Sequence, residues 1–360
     1  MGNKSLRKAK KAKNDEFYTQ LTTIENEVMH YREHFKGKTV YLNCDDPRES
    51  NFFHYFSYNF KKLGLKKLIA SCYKSNDFNL FSLHDVNEKA VWLEYTGETD
   101  GGRVPTAEAI GVHYFKGDGD FRSDESIKLL KEADIVVTNP PFSLFREFIA
   151  QMIEHDKKFL VLGNMNAISY KEFFPLIKDN KVWPGVDFRG TVEFKIPKSV
   201  EIESNSGRVD NDGNKFLKVQ GVTWWTNLDY PRRHRDMILF RKYEGNEDKY
   251  PKYDNYDAIN VDKVADIPLD YKGVVGVPIT FIGQWNPEQF EIVGLGQGNL
   301  YKSINGDGLS QNFVDDYYTS GGKGAIKKNH PVLGYYKNGK ATIPYMRILI
   351  RNKHLNSSDM

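Results

Sequence analysis

Asn139-Pro140-Pro141-Phe142 is the stretch of this chain best suited to chemistry. Asn139 brings a side-chain carbonyl oxygen that accepts hydrogen bonds. The main-chain carbonyl of Pro140 brings a second acceptor. Both prolines fix φ and lack an N–H, so the loop is stiff and nothing of its own competes for those acceptors. Phe142 adds a flat aromatic face. Two acceptors beside such a face suit a planar ring that carries an exocyclic amine. Holding both N–H bonds favours a more pyramidal nitrogen, whose lone pair is less delocalised and more nucleophilic. The same residues would also serve a plain strand-to-helix turn, so the surrounding elements matter.

Ile135-Val136-Val137 reads as a buried parallel strand. Ser143 to Ile149 has the apolar spacing of a helix. Upstream, Val40 to Cys44 reads as a strand ending in Asp45-Asp46-Pro47, and a helix with Phe52, Phe53, Phe56 and Phe60 follows. Leu68 to Cys72 is a second strand, and Val112 to Phe115 a short one ending in Gly117-Asp118-Gly119-Asp120. A helix over 124–133 leads into the tetrad strand, and Lys158 to Gly163 is the next strand. Ahead of the first strand, Ile24, Val28, Tyr31 and Phe35 mark one buried helix face, with Glu25 and Glu27 on a solvated one. Strands alternating with helices predict an α/β fold with a doubly wound, mostly parallel sheet. Such sheets bind ligands outside the carboxyl ends of their strands. Every motif above falls at such an end or just before the first strand.

The rest is less regular. Residues 74–110 are polar and assigned no element. Val182-Trp183 and Val222 to Asn227 read as strands pairing antiparallel at the edge of the sheet, with a polar loop between them. From about residue 240 the chain turns Tyr-, Asp- and Pro-rich. Val274 to Ile282 and Met346 to Ile350 are strands there, which predicts a smaller mixed or β region. The expected organisation is a basic flexible tail over 1–13, a catalytic and cofactor domain over 14–235, and a target-recognition region over 236–360.

Bulk properties set bounds. The chain has 360 residues, enough for two cores. Mean hydropathy is −0.60 and no run is long and apolar enough to span a bilayer. No apolar segment near the N-terminus suggests export. Cys44 and Cys72 are too few for a disulfide framework and read as small core residues in a reducing cytoplasm. The His and Cys residues show no zinc spacing, so no metal is expected. A net charge of +3 is not diagnostic, but its distribution is. Lys4, Arg7, Lys8, Lys10, Lys11 and Lys13 open the chain without an acid among them. Arg232, Arg233, His234 and Arg235 form a second basic group, and Lys323, Lys327 and Lys328 a third. Each group suits phosphates as well as solvent.

The tetrad resembles the catalytic motif of amino-methyltransferases that use S-adenosylmethionine. The wider set of motifs is similar to the EcoRI-type adenine-specific DNA methyltransferases. It includes Asp15 to Thr19, Asn43 to Pro47, Ser50 to Phe53, Gly117 to Ser123 and Asp134 to Phe148. It continues through Lys252 to Asn260, Gly276 to Phe281, Asn286 to Phe290 and Arg347 to Ile350, and so covers nearly the whole chain. The resemblance implies methyl transfer from S-adenosylmethionine to N6 of adenine in duplex DNA, within a bacterial or phage restriction–modification system. It implies a cognate restriction endonuclease sharing the site and a GAATTC-like sequence. A monomer suffices for modifying one strand at a time.

The resemblance also assigns roles. Asn139, Pro140, Pro141 and Phe142 match the catalytic tetrad. Glu16, Phe17, Tyr18 and Thr19 match the segment that packs over the methionine moiety of the cofactor. Asp45, Asp46 and Pro47 stand where the first strand meets the cofactor, with the choice between the two acids open. The usual Gly-x-Gly turn is missing there; Ser50 and Asn51 stand nearby instead. Asp118 is placed to accept from the cofactor's adenine amine, with Asp120 its competitor. The target must be flipped out of the stack. Lys8 and Lys11, with Arg232, Arg233, Arg235, Asn286 and Gln289, are the DNA-binding candidates, since Arg reads guanine and Asn or Gln reads adenine. RNA, a protein glutamine or cytosine N4 as substrate, and an inactive DNA-binding module, are the rival readings.

Overall fold

Eight strands make the sheet that carries the tetrad, in the order 113–114, 91–95, 67–71, 39–42, 135–138, 158–164, 222–226, 183–184. The computed structural model describes residues 18–44, 46–73, 89–188, 190–196 and 207–355. It divides into one unit of Met1–Ala167 with Trp183–Tyr230, and a second of Ile168–Val182 with Pro231–Met360.

In the first unit the four central strands of that sheet, 67–71, 39–42, 135–138 and 158–164, are mutually parallel. The sheet as a whole is mixed. Val91–Tyr95 inserts antiparallel between the second strand and His113–Tyr114. Val222–Thr226 pairs antiparallel with both Lys158–Asn164 and Trp183–Pro184. The inserted strand escaped the sequence reading because it opens from the polar stretch 74–88. Those residues, like 45, 189 and 197–206, lie outside the described ones.

Strands Thr39–Leu42 and Ile135–Thr138 are buried at every position, as continuous apolar runs require when both faces are covered. Val40, Leu42, Val137, Leu160 and Leu162 share a core with helix residues Ile24, Val28, Phe35, Phe52, Phe56 and Leu63. On the other face Phe145, at the start of helix Phe145–Glu154, lies against Gly163, where a Cβ would come within 2.3 Å of its ring. The chain leaves Thr39–Leu42 toward 67–71 on one side and returns at Ile135–Thr138 on the other. The strand order therefore reverses between these two, which is where open α/β sheets place ligands.

The segment between 184 and 222 is not a plain loop. Thr191–Ile196, Gly207–Val209 and Lys215–Gln220 form a second sheet, and Tyr18–Thr19 pairs with Thr191–Ile196 at its edge.

Glu27 overturns its expected place on a solvated face. It is wholly buried. Its carboxylate accepts from Tyr31 Oη at 2.8 Å, the Val186 amide at 2.7 Å and the Asp187 amide at 2.9 Å. Gly185 has no room for a side chain there, since a Cβ would sit 2.3 Å from Glu27 Oε1. Burial outweighs those bonds and pushes the carboxyl from 4.5 up to about 7. A folded-state pKa above the unfolded one means that the folded chain holds the extra proton between those values. Its stabilising contribution is complete below about 4.5 and is lost as pH rises through about 7, on the order of 1.4 kcal/mol for each pKa unit. The thermal midpoint should fall across that window, and Glu27→Gln should flatten the slope. An unchanged slope in the variant would remove Glu27 as its source.

The second unit has a sheet in the order Ala258–Asn260, Val274–Pro278, Arg347–Asn352, Phe290–Leu295. One buried polar network explains several motifs at once. Tyr253 Oη donates to Asn260 Oδ1 at 2.9 Å, and Arg347 Nε donates to the same oxygen at 3.0 Å. Asn260 Nδ2 donates to Asp262 Oδ1 at 3.0 Å. Gly276 leaves the space that the Tyr253 hydroxyl fills.

Candidate active site

The two central strands pair in parallel, Val40↔Ile135 and Tyr41↔Val136, so their carboxyl ends lie on the same edge of the sheet. Neighbouring strands lie about 4.8 Å apart, so the end of the first strand and the head of the tetrad are side by side. Asn139 is 9% exposed. The turn through Pro140 and Pro141 enters a 3-10 turn at Phe142–Leu144 before helix Phe145–Glu154 begins.

Phe142 is almost buried, with its ring edge-on to Phe194 at 6.5 Å between centroids. Phe194 was not singled out from the sequence. It sits on Thr191–Ile196, and that strand's register sets it opposite Thr19. Asn51 Nδ2 donates to the Thr19 carbonyl at 2.8 Å, and Ser50 caps helix Asn51–Tyr58 through the Phe52 amide at 3.1 Å. One strand and one asparagine thus draw the Tyr18–Thr19 segment, the start of the helix after the first strand, and the tetrad into one place. The signal was the alternation of Val192, Phe194 and Ile196 with Thr191, Glu193 and Lys195, half-hidden in a polar stretch.

Within this group Thr19 Oγ1 and Gln20 Nε2 are buried and, among the described residues, have no hydrogen-bond partner. Each such atom costs about 1–3 kcal/mol unless something meets it. A polar ligand would. Glu16, Phe17 and Asp45 lie outside the described residues, as do Lys8 and Lys11. Pro47 is buried in the turn after the first strand. Asp46 is held by Arg48: Oδ1 accepts from the Arg48 amide at 3.0 Å and Nε at 2.9 Å, and Oδ2 pairs with Nη2 at 2.7 Å.

The same Asp-x-Arg clasp recurs after Tyr114. Asp120 Oδ1 accepts from the Arg122 amide at 2.8 Å and Nε at 2.9 Å, while Oδ2 takes Nη2 at 2.7 Å. Arg122 Nη1 also reaches Glu147 at 2.7 Å, tying this loop to the helix after the tetrad. These bonds hold the Asp120 carboxyl below its ordinary range. Among the described residues Asp118 Oδ1 accepts the Asp120 amide, at 3.0 Å, and no partner is seen for Oδ2. Gly119 between them has φ +75°, and a Cβ would stand 2.6 Å from the Cys72 carbonyl. The loop is therefore pressed onto the end of the second strand, with Asp118 the acid open to a ligand. Asp118→Ala should weaken cofactor binding about tenfold, read by calorimetry. Asp120→Ala should instead lower thermal stability. The reverse pattern would exchange their roles.

The family model for the adenine-specific methyltransferase EcoRI matches residues 5–353. The chain belongs to the EcoRI family of adenine-specific methyltransferases. It is 51% identical over 354 residues to the type II methyltransferase M.EcoRI of Escherichia coli, covering 98% of each chain. It is 43% identical to M.MgeORF184P of Mycoplasma genitalium over 79% of this chain and 84% of that one. With M.MpnI of Mycoplasma pneumoniae the identity is 38%, over 96% and 97%. No solved structure matches.

An EcoRI-family methyltransferase also has to grip its substrate, and here the structure corrects the sequence. Asn286 is 1% exposed; its Nδ2 donates to Asp236 Oδ1 at 2.8 Å and its Oδ1 accepts the Glu288 amide at 2.9 Å. Gln289 is buried and clasps Met237 at both its amide, 2.7 Å, and its carbonyl, 2.9 Å. Arg233 is buried, bonded to Asn180 and 5.6 Å from the Trp285 ring centroid. Asn286 and Gln289 thus spend both ends of their amide groups on neighbouring residues, and the Arg233 side chain is turned inward. Arg232 and Arg235 are exposed.

Proposed function

We propose that this adenine-specific DNA methyltransferase moves a methyl group from S-adenosylmethionine to N6 of an adenine flipped out of a short, GAATTC-like duplex site. The observation that carries the reading is the Asn-Pro-Pro-Phe tetrad at the carboxyl end of a central strand, where the strand order reverses. The sheet order, with an antiparallel strand beyond the parallel ones, supports a methyltransferase fold. The family assignment adds the base.

The orphaned Thr19 Oγ1 and Gln20 Nε2, the open Asp118 oxygen and the buried turn at Pro47 fit a ligand with ribose hydroxyls, a ring amine and an amino-acid tail. Tyr18, Thr19, Asp46, Pro47 and Asp118, with Glu16, Phe17 and Asp45, would hold it. When bound, S-adenosylmethionine supplies a methyl group on a positively charged sulfonium, so no strong base is needed. Asn139 Oδ1 and the Pro140 carbonyl accept the two N–H bonds of the target amine and pyramidalise its nitrogen. Pro141 stiffens the turn. Phe142 offers a face to the extruded ring. After attack the amine carries an extra proton, which those same acceptors hold until it passes to water.

Residues 14–235 form the catalytic and cofactor part in this reading, and 236–360 the target-recognition part. The basic residues of 1–13, Lys8 and Lys11 included, meet backbone phosphates together with Arg232 and Arg235. The protein acts as a monomer in the bacterial cytoplasm, protecting sites that a cognate restriction endonuclease would cut. No helix among the described residues is long and apolar enough to cross a membrane. Incubating purified protein with S-adenosylmethionine and duplex DNA, then analysing the nucleosides by mass spectrometry, should yield N6-methyladenine. N4-methylcytosine, or label found only in RNA or protein, would overturn the assignment.

A further inference from the structure

Ile238 is 85% exposed and Phe240 62% exposed, in the second unit. Single exposed apolar residues are ordinary; this pair is not placed at random. Exposure alternates along the stretch, with Met237 and Leu239 half-buried and Ile238 and Phe240 outward. Both ends are pinned. Asn286 holds Asp236, and Gln289 clasps the Met237 amide and carbonyl. Past Phe240, Arg241 forms a bridge with Pro268, its carbonyl accepts the Leu269 amide at 2.9 Å, and its Nε lies 3.7 Å from Asp266. Two buried amide side chains thus hold the stretch that displays Ile238 and Phe240. Such bracing lowers the entropy cost of binding.

The surroundings name the partner. Residues 232–242 carry Arg232, Arg233, Arg235, Arg241 and Lys242 against one acid, Asp236. Of these cations Arg232, Arg235, Arg241 and Lys242 are exposed. Apolar tips flanked along the chain by exposed cations, with Arg241 5.3 Å from the Phe240 ring centroid, complement the apolar base stack between two rows of phosphates. They match a purely apolar protein groove poorly.

We infer that Ile238 and Phe240 form a wedge that enters the base stack of the bound duplex and lowers the cost of extruding the target adenine. This rests on the reading of the protein as a duplex-DNA methyltransferase. The cations hold the phosphates, the amide clasps keep the loop rigid, and the apolar side chains replace the stacking lost as the base leaves.

The test compares wild type with Ile238→Ser/Phe240→Ser on two duplexes carrying the site that wild type methylates. One is fully paired; in the other the target adenine faces an abasic position, so extrusion is already cheap. On the paired duplex the double variant should lose about 10- to 100-fold in kcat/KM. On the abasic one it should lose less than about threefold, because there the wedge has little left to do. Cofactor affinity and the slope of DNA binding against salt should match wild type, since no charge is removed, whereas Arg235→Ala should lower that slope by about one. Equal losses on both duplexes, or no loss on either, would overturn the wedge. So would a wild-type dimer in sedimentation that the double variant converts to monomer, since the patch would then be a contact between copies. A wild-type chain that methylates neither duplex would sink the methyltransferase reading itself; an active wild type with an unaffected variant would sink the wedge alone.

Discussion

Asn139→Ala is expected to lower methyl transfer by roughly 10³-fold while leaving cofactor and DNA affinity within about twofold. The side chain sits at the end of a fully buried strand and is itself almost buried. Its oxygen is asked to act on the nitrogen as charge develops there, which is an interaction stronger in the transition state than in the ground state. Its loss should therefore appear in kcat rather than in KM. Single-turnover transfer to a saturating duplex separates the two. Retained single-turnover chemistry in the variant would remove Asn139 from the mechanism.

Phe142→Ala should cost about 10- to 100-fold in kcat/KM, the amount that one base–aromatic stack is worth. Phe142→Tyr should stay within a few-fold of wild type, because it keeps the face. The ring now packs edge-on against Phe194 at the border of the core, so the alanine variant will also melt earlier. Stability and stacking separate on a duplex whose target adenine is mispaired. A purely structural role would depress activity on paired and mispaired duplexes alike, whereas loss of stacking penalises the paired duplex more. Equal depression would reduce Phe142 to a packing residue.

What could be read in advance followed from how locally each feature is specified. The strands around the tetrad are continuous apolar runs bounded by turn residues, and they fold where the runs lie. Val91–Tyr95 was missed because its alternating pattern emerges from a polar stretch, and only its pairing with 67–71 gives it a place. Phe194 was missed for the same kind of reason: it becomes part of the site through a partner strand 175 residues earlier, Thr19 opposite Phe194. Burial decided what residue type could not. Asn286, Gln289 and Arg233 have side chains that can read bases, yet all three are turned inward. Asp118 and Asp120 are equal in the sequence and separate only once Arg122 is seen to clasp one of them. Glu27 looked like one more surface charge and is a buried acid holding two backbone amides.

The central claim is that Asn139 and its neighbours methylate adenine in one short duplex sequence. Single-molecule sequencing of genomic DNA from cells expressing the chain, beside cells expressing Asn139→Ala, tests it most directly. N6-methyladenine at a single short motif in the first sample and not in the second is the expected result. Unmodified adenine at every motif in both samples, with the protein folded and abundant, would contradict it.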